Sequence, residues 1–276
     1  MADTSAFAKN DDFEHSTETV DGFEIQKIKV KSNNEGGQLP LDKGEYCTVF
    51  FNRLTSLDSD SCNKLSDIIA NELKNFVPIP CESIFIAGLG NRYLTSDTIG
   101  TKCAEKLEIT RHISIYNEDI FKKMDMKKIS SLSPGVMAQT GIETAEIIKG
   151  AVSAVKPDVV IVIDSLCARS PDRLASTVQI SSSGISPGSG VGNKRKKISE
   201  EALGCPVIML GVPTVVSSST LVYDALEKAD VNDISKDLEE ILENGRSYFV
   251  TVNEIDELTD KLSDIISDAI FKLSKK

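Results

Sequence analysis

The sequence predicts an α/β fold: a three-layer αβα sandwich with a mostly parallel sheet. Two observations carry this prediction. Val159-Val-Ile-Val-Ile163 and Pro206-Val-Ile-Met-Leu210 are unbroken apolar runs, as expected of strands covered on both faces. Segments of helical period alternate with such runs along the chain, the pattern of strand–helix–strand units. The length, 276 residues, is enough to bury a full core.

Residues 1–21, rich in Asp, Glu, Ser and Thr, are expected to form a mobile leader, and residues 22–276 a single α/β domain. Phe23-Glu-Ile-Gln-Lys-Ile-Lys-Val30 alternates apolar and polar residues, the period of a half-buried strand. Asn33 to Gly37 punctuate the chain, and Tyr46 to Phe51 give a second strand. The two are predicted to pair antiparallel at a sheet edge. Leu65, Ile68, Ile69, Leu73 and Phe76 fall at helical spacing, and Pro78 stops the helix. Ser83 to Ala87 is a short strand, and a helix follows from near Asp97 to about Leu107. His112 is placed at the start of a strand, as a satisfied structural histidine. Gly141 to Val155 reads as a helix closed by Lys156-Pro157. The last helix carries Ile255, Leu258, Leu262, Ile265, Ile266, Ala269 and Leu273.

Charge and composition narrow the function. The chain has 31 Lys+Arg against 42 Asp+Glu, a formal charge of -11. That balance opposes direct nucleic-acid binding. No apolar run approaches the roughly 20 residues of a membrane helix, and the polar start lacks a signal-peptide core, so a cytoplasmic location is expected. Six scattered cysteines without a CxxC pair read as reduced thiols. The histidines are His15, in the leader, and His112. A Ser-His-Asp triad or a multi-histidine zinc site would rest on His112 alone, which favours carboxylate chemistry.

Ligands of such folds sit beyond the carboxyl ends of the strands. Gly88-Leu-Gly90 follows one strand, but the third glycine of a dinucleotide fingerprint would fall at Tyr93, so that motif fails. Gly184-Ile-Ser-Pro-Gly188-Ser-Gly190-Val-Gly192-Asn-Lys194 lacks Walker spacing and reads, on its own, as a surface loop. Asp97 and Asp164 follow two different strands. Each has a plain explanation as a capping or solvated residue. If both reach one rim, they cannot both ionise easily, and the pair can hold a proton. Such a pair can activate a water against an amide carbonyl, or hold one divalent metal ion that does so. The cluster Lys194-Arg-Lys-Lys197 is either a solvated helix start or a dock for an acidic substrate side chain, and Arg169 and Arg173 would extend it.

Several stretches carry a resemblance that covers roughly residues 22–270. They include Gly88-Leu-Gly-Asn91, Thr95-x-Asp97-x-x-Gly100, Thr140-Gly-Ile-Glu-Thr144 and Ile163-Asp164. Further along come Ala168-Arg-Ser170, Pro187-Gly-Ser-Gly-Val-Gly-Asn-Lys-Arg195 and Gly211-Val-Pro-Thr-Val-Val216. The chain resembles the germination proteases, which begin the degradation of small acid-soluble spore proteins when spores germinate. The resemblance implies a fold like the hydrogenase-maturation peptidases, of the phosphorylase/hydrolase-like kind. It implies an endopeptidase whose essential carboxylates match Asp97 and Asp164, with acid pair and metal both open as mechanisms. Gly188, Gly190 and Gly192 would shape the substrate cleft. It further implies a tetrameric zymogen made in the developing spore, and cleavage after Glu, which would give Lys194, Arg195 and Arg169 a substrate-binding purpose. Three positions depart from the family pattern: Ser186 replaces a usual histidine, Ser217 a usual aspartate, and the leader lacks an Arg-Thr-Asp-Leu stretch. The alternative is a weakened paralogue that binds spore proteins or co-assembles with an active protease. From the fold alone, a nucleotide- or phosphate-binding enzyme is a further rival.

Overall fold

The computed structural model describes residues 13–32, 41–51, 54–188, 195–231, 233–245 and 248–276. In chain order the elements begin with β1 (Phe13–Val20), β2 (Phe23–Val30), β3 (Gly44–Phe50) and α1 (Ser59–Phe76). Then come β4 (Ser83–Gly88), α2 (Ile99–Lys106), α3 (Arg111–Tyr116), α4 (Glu118–Met124), β5 (Lys128–Leu132), α5 (Met137–Thr140) and α6 (Thr144–Val155). They are followed by β6 (Val159–Ala168), β7 (Thr177–Ser181), α7 (Glu200–Leu203) and β8 (Val207–Ser217). The chain closes with α8 (Ser218–Lys228), α9 (Lys236–Asn244), β9 (Phe249–Val250) and α10 (Ile255–Ser274).

Among the described residues, the strands form one sheet in the order β1-β2-β3-β7-β8-β6-β4-β5, with β9 also on β8. Pairs β5–β4, β4–β6 and β6–β8 are parallel, and all others are antiparallel. The expected α/β architecture therefore stands, with a parallel centre and an antiparallel flank. Alternation on the central strands shows why. Ile84, Ile86, Ile161 and Ile163 pack with Leu65, Ile69 and Leu73 of α1 and with Leu262 and Ile266 of α10. The intervening Phe85, Ala87, Val160 and Val162 pack with Ile148 and Val152 of α6 on the other face. Each strand buries both of its faces, as a continuous apolar run requires.

Several sequence expectations are corrected. Residues 13–20, assigned to a mobile leader, are β1, paired along their length with β2 through an Asp21-Gly22 turn. Residues 1–12 lie outside the described part. The sheet edge is therefore β1 and not the β2–β3 pair, which is antiparallel as expected. His112 lies in α3 with its side chain exposed, neither on a strand nor in the core. The alternation of Ile113 and Ile115 imitates a strand, although Ile115 is 55% exposed. Both β6 and β8 run past their apolar stretches, so Asp164 lies within β6. All six cysteines are free thiols. No helix among the described residues is long and apolar enough to cross a membrane.

Candidate active site

The strands β4 and β6 end side by side, with Gly88 in register with Ile163. The Leu89 N–H donates to the Ile163 carbonyl at 2.8 Å. Helix α2 starts hard against this junction because Gly100 has no side chain. A Cβ there would overlap the carbonyl oxygens of Ile163 and Leu89, and one on Gly88 would overlap the Gly100 carbonyl. This close approach brings the 3-10 turn Thr95–Asp97, just before α2, to the rim where β6 presents Asp164. From the other side, the buried Thr214 of β8 donates its hydroxyl to the Ser96 carbonyl at 2.5 Å. Thr251 donates in turn to the Thr214 carbonyl at 2.6 Å.

Asp97 does not cap α2: Thr98 occupies that position. The Asp97 Oδ2 instead accepts the Asn91 N–H at 2.9 Å. Residue 90 turns with φ 113°, where a side chain would overlap the Asp97 carbonyl oxygen, so glycine is required there. Asn91 is itself tied down. Its Oδ1 accepts the Tyr93 N–H at 3.1 Å and the Gln139 amide at 3.0 Å, joining two walls of the cleft.

Asp164 is 5% exposed, and its Oδ1 accepts the Ser165 N–H at 3.0 Å. Burial raises the Asp97 pKa, opposed by the Asn91 N–H. Burial, and then the Asp97 charge, push Asp164 up to about 8. No basic side chain among the described residues offsets either effect. Both effects favour a proton on the pair, more strongly at Asp164 than at Asp97.

Both aspartates line one cavity of about 640 Å³. Arg169, Ser186, Gly188 and Arg195 line it too. Gly190, Gly192 and Lys194 lie outside the described residues. The rest of the basic cluster is engaged elsewhere: Lys196 pairs with Glu146 at 2.6 Å and Lys197 with Asp42 at 2.5 Å. Arg173 is absent from the lining and sits over the Phe50 ring, 5.4 Å from its centroid. Leu94, Met137, Met209 and Phe249 supply apolar wall. Sequence reasoning missed Glu143, Thr214 and Gln139 as site residues; only their presence or adjacency in the quoted motifs hinted at them.

A divalent ion would need more than this pair. Each aspartate already spends one oxygen on a backbone N–H. Among the described residues no group of three His, Cys, Asp or Glu gathers anywhere. Catalytic zinc usually has three protein ligands, so the described donors fall short of a resident zinc centre. Proton transfer is chemistry that the pair can perform with its own groups.

A model of the germination protease family matches residues 3–241. The germination protease of Clostridium perfringens is 38% identical over 283 residues, covering 94% of this chain and 86% of that protein. That of Bacillus licheniformis is 43% identical over 213 residues, covering 75% of this chain and 57% of that protein. Among solved structures, a NiFe hydrogenase maturation protease from Thermococcus kodakarensis aligns at 16% identity with a TM-score of 0.40, over 72% of this chain and 99% of its own. With the family matched across most of its length, the chain belongs to the germination proteases and is an endopeptidase of that type.

Proposed function

We propose that Asp97 and Asp164 are the catalytic residues and that they work as an acid dyad. Ionised Asp97 takes a proton from a water molecule as the water oxygen attacks the scissile carbonyl carbon. Protonated Asp164 donates to the carbonyl oxygen as negative charge develops there. When the tetrahedral intermediate collapses, the C–N bond breaks and the amine leaves with the proton that Asp97 had taken. Asp164 recovers its own proton from the hydroxyl as the carbonyl re-forms. The observation that carries this reading is a buried Asp164 carboxyl on the same cavity as Asp97, with burial and the Asp97 charge both raising its pKa.

The substrates in this reading are small acid-soluble spore proteins, cut in the cytoplasm of the developing or germinating spore by a homo-oligomer, with β1 and residues 22–276 together as one peptidase domain. Gly188, with Gly190 and Gly192, shapes the cleft, and Arg169 and Arg195, joined by Lys194, receive an acidic side chain. The family resemblance and the position of Gly188, Arg169 and Arg195 on the cavity support these assignments. The test is incubation of the purified protein with a small acid-soluble spore protein. Cleavage that survives chelator and disappears in Asp97→Asn and Asp164→Asn is expected. Binding without cleavage would return the paralogue reading, and chelator-sensitive cleavage would return a metal.

A further inference from the structure

Glu143 stands at the N-cap position of α6 but does not use its carboxylate as a cap. That carboxylate lies 3.9 Å from Nη1 of Arg195, and both side chains are about a quarter exposed. At this separation the pair is a charge contact and not a hydrogen bond, whereas a guanidinium that bonds a carboxylate directly sits about 2.7–2.9 Å away. The segment after Arg195 has ties that do not involve Glu143. Lys196 pairs with Glu146 at 2.6 Å, on the same face of α6 as Glu143. Ile185 and Ile198 exchange two backbone hydrogen bonds of 2.9 and 2.7 Å across the base of the same loop. Glu143 and Arg195 both line the cavity that holds Asp97 and Asp164.

We propose that Glu143 is a specificity-determining residue: it stands on Arg195 in place of a substrate's acidic side chain and gives way when that side chain arrives. The proposal rests on reading this cleft as the substrate site. An acidic peptide that bonds the guanidinium through both oxygens gains more than it displaces. A neutral peptide leaves the Glu143–Arg195 contact in place. Glu143 therefore sets the threshold that an incoming carboxylate has to exceed.

The test uses two labelled peptides that differ only by Glu or Gln at one position, titrated by anisotropy against the full chain carrying Asp164→Asn, so that nothing is cleaved during the measurement. Adding Glu143→Gln should tighten the acidic peptide about two- to fivefold, the range of a partly exposed ion pair, and leave the neutral peptide unmoved. Adding Arg195→Gln should weaken the preference, with Arg169 left in the cleft, and cancel the effect of Glu143→Gln. An acidic peptide that binds equally or more weakly after Glu143→Gln overturns the proposal. So does equal tightening of both peptides, or a chain that binds neither. If the expected pattern appears but the unsubstituted chain cuts neither peptide nor any spore protein, the catalytic reading fails while this one stands.

Discussion

Replacing Asp164 by Asn keeps the side chain's shape and removes its proton equilibrium, which allows burial of this carboxyl to be read as stability. In the folded protein its pKa is pushed up to about 8, whereas in the unfolded chain it returns to about 3.9. Between those values the folded state keeps a proton that the unfolded chain has released. Stability therefore falls as pH rises through this window, because the native state binds more protons there than the unfolded one. At about 1.4 kcal/mol per pH unit, the ceiling from pH 4 to pH 8 is on the order of 5 kcal/mol. The carboxyl opens on a cavity that water can enter, which screens it, so we expect about half of that. Urea unfolding followed by circular dichroism and tyrosine fluorescence, in a chain without Trp, measures the effect at several pH values. The Asp164→Asn protein should match the unsubstituted one near pH 4 and exceed it by about 2–3 kcal/mol at pH 8. Other titrating groups contribute to both proteins and largely cancel in the difference. Parallel stability curves would refute the buried-proton account, whatever happens to activity.

The same pair should give a bell-shaped kcat/KM profile, with its acidic limb above the usual aspartate range and its alkaline limb near pH 8; a profile flat through pH 9 would dismiss Asp164 as the acid. Asp97→Asn and Asp164→Asn should each lower cleavage of a spore protein by about a hundredfold or more. Gly90→Ala forces an L-residue into φ 113° and against the Asp97 carbonyl; we expect a loss of at least about 1–3 kcal/mol in urea melts, with cleavage reduced because Asp97 has to shift. Thr214→Val strands the Ser96 carbonyl beside the turn that carries Asp97 and should cost about 1–3 kcal/mol, and it should lower kcat more than it raises KM.

How much of this was legible in the sequence depended on whether an element is defined by what it buries. Strands β4, β6 and β8 and helices α1, α6 and α10 announce themselves through apolar runs or helical spacing. Strand β1 does not, because nearly all its side chains are exposed and it exists by backbone pairing to β2. Strand β5, with Ser130 and Ser131, is too polar to stand out. The site divides in the same way. Two aspartates at the sheet rim followed from strand order, but what each would do did not. Asp158 comes just before β6 and Asp164 lies within it, and the two look alike in sequence. Burial acts to raise the Asp158 pKa, but it is overcome by the N–H groups of Glu82 and Ser83 and the Ser83 hydroxyl, and the pKa falls below the usual value. Asp164 has one such donor, from its own neighbour, and another carboxylate close by, so burial prevails and its pKa rises. The turn that carries Asp97 is held near Asp164 by the Gly88–Gly100 approach and by Thr214, contacts between segments up to 118 residues apart. A carboxylate's chemistry is thus settled by how many donors the fold brings to it, and the donor count is a property of tertiary approach that no local pattern records.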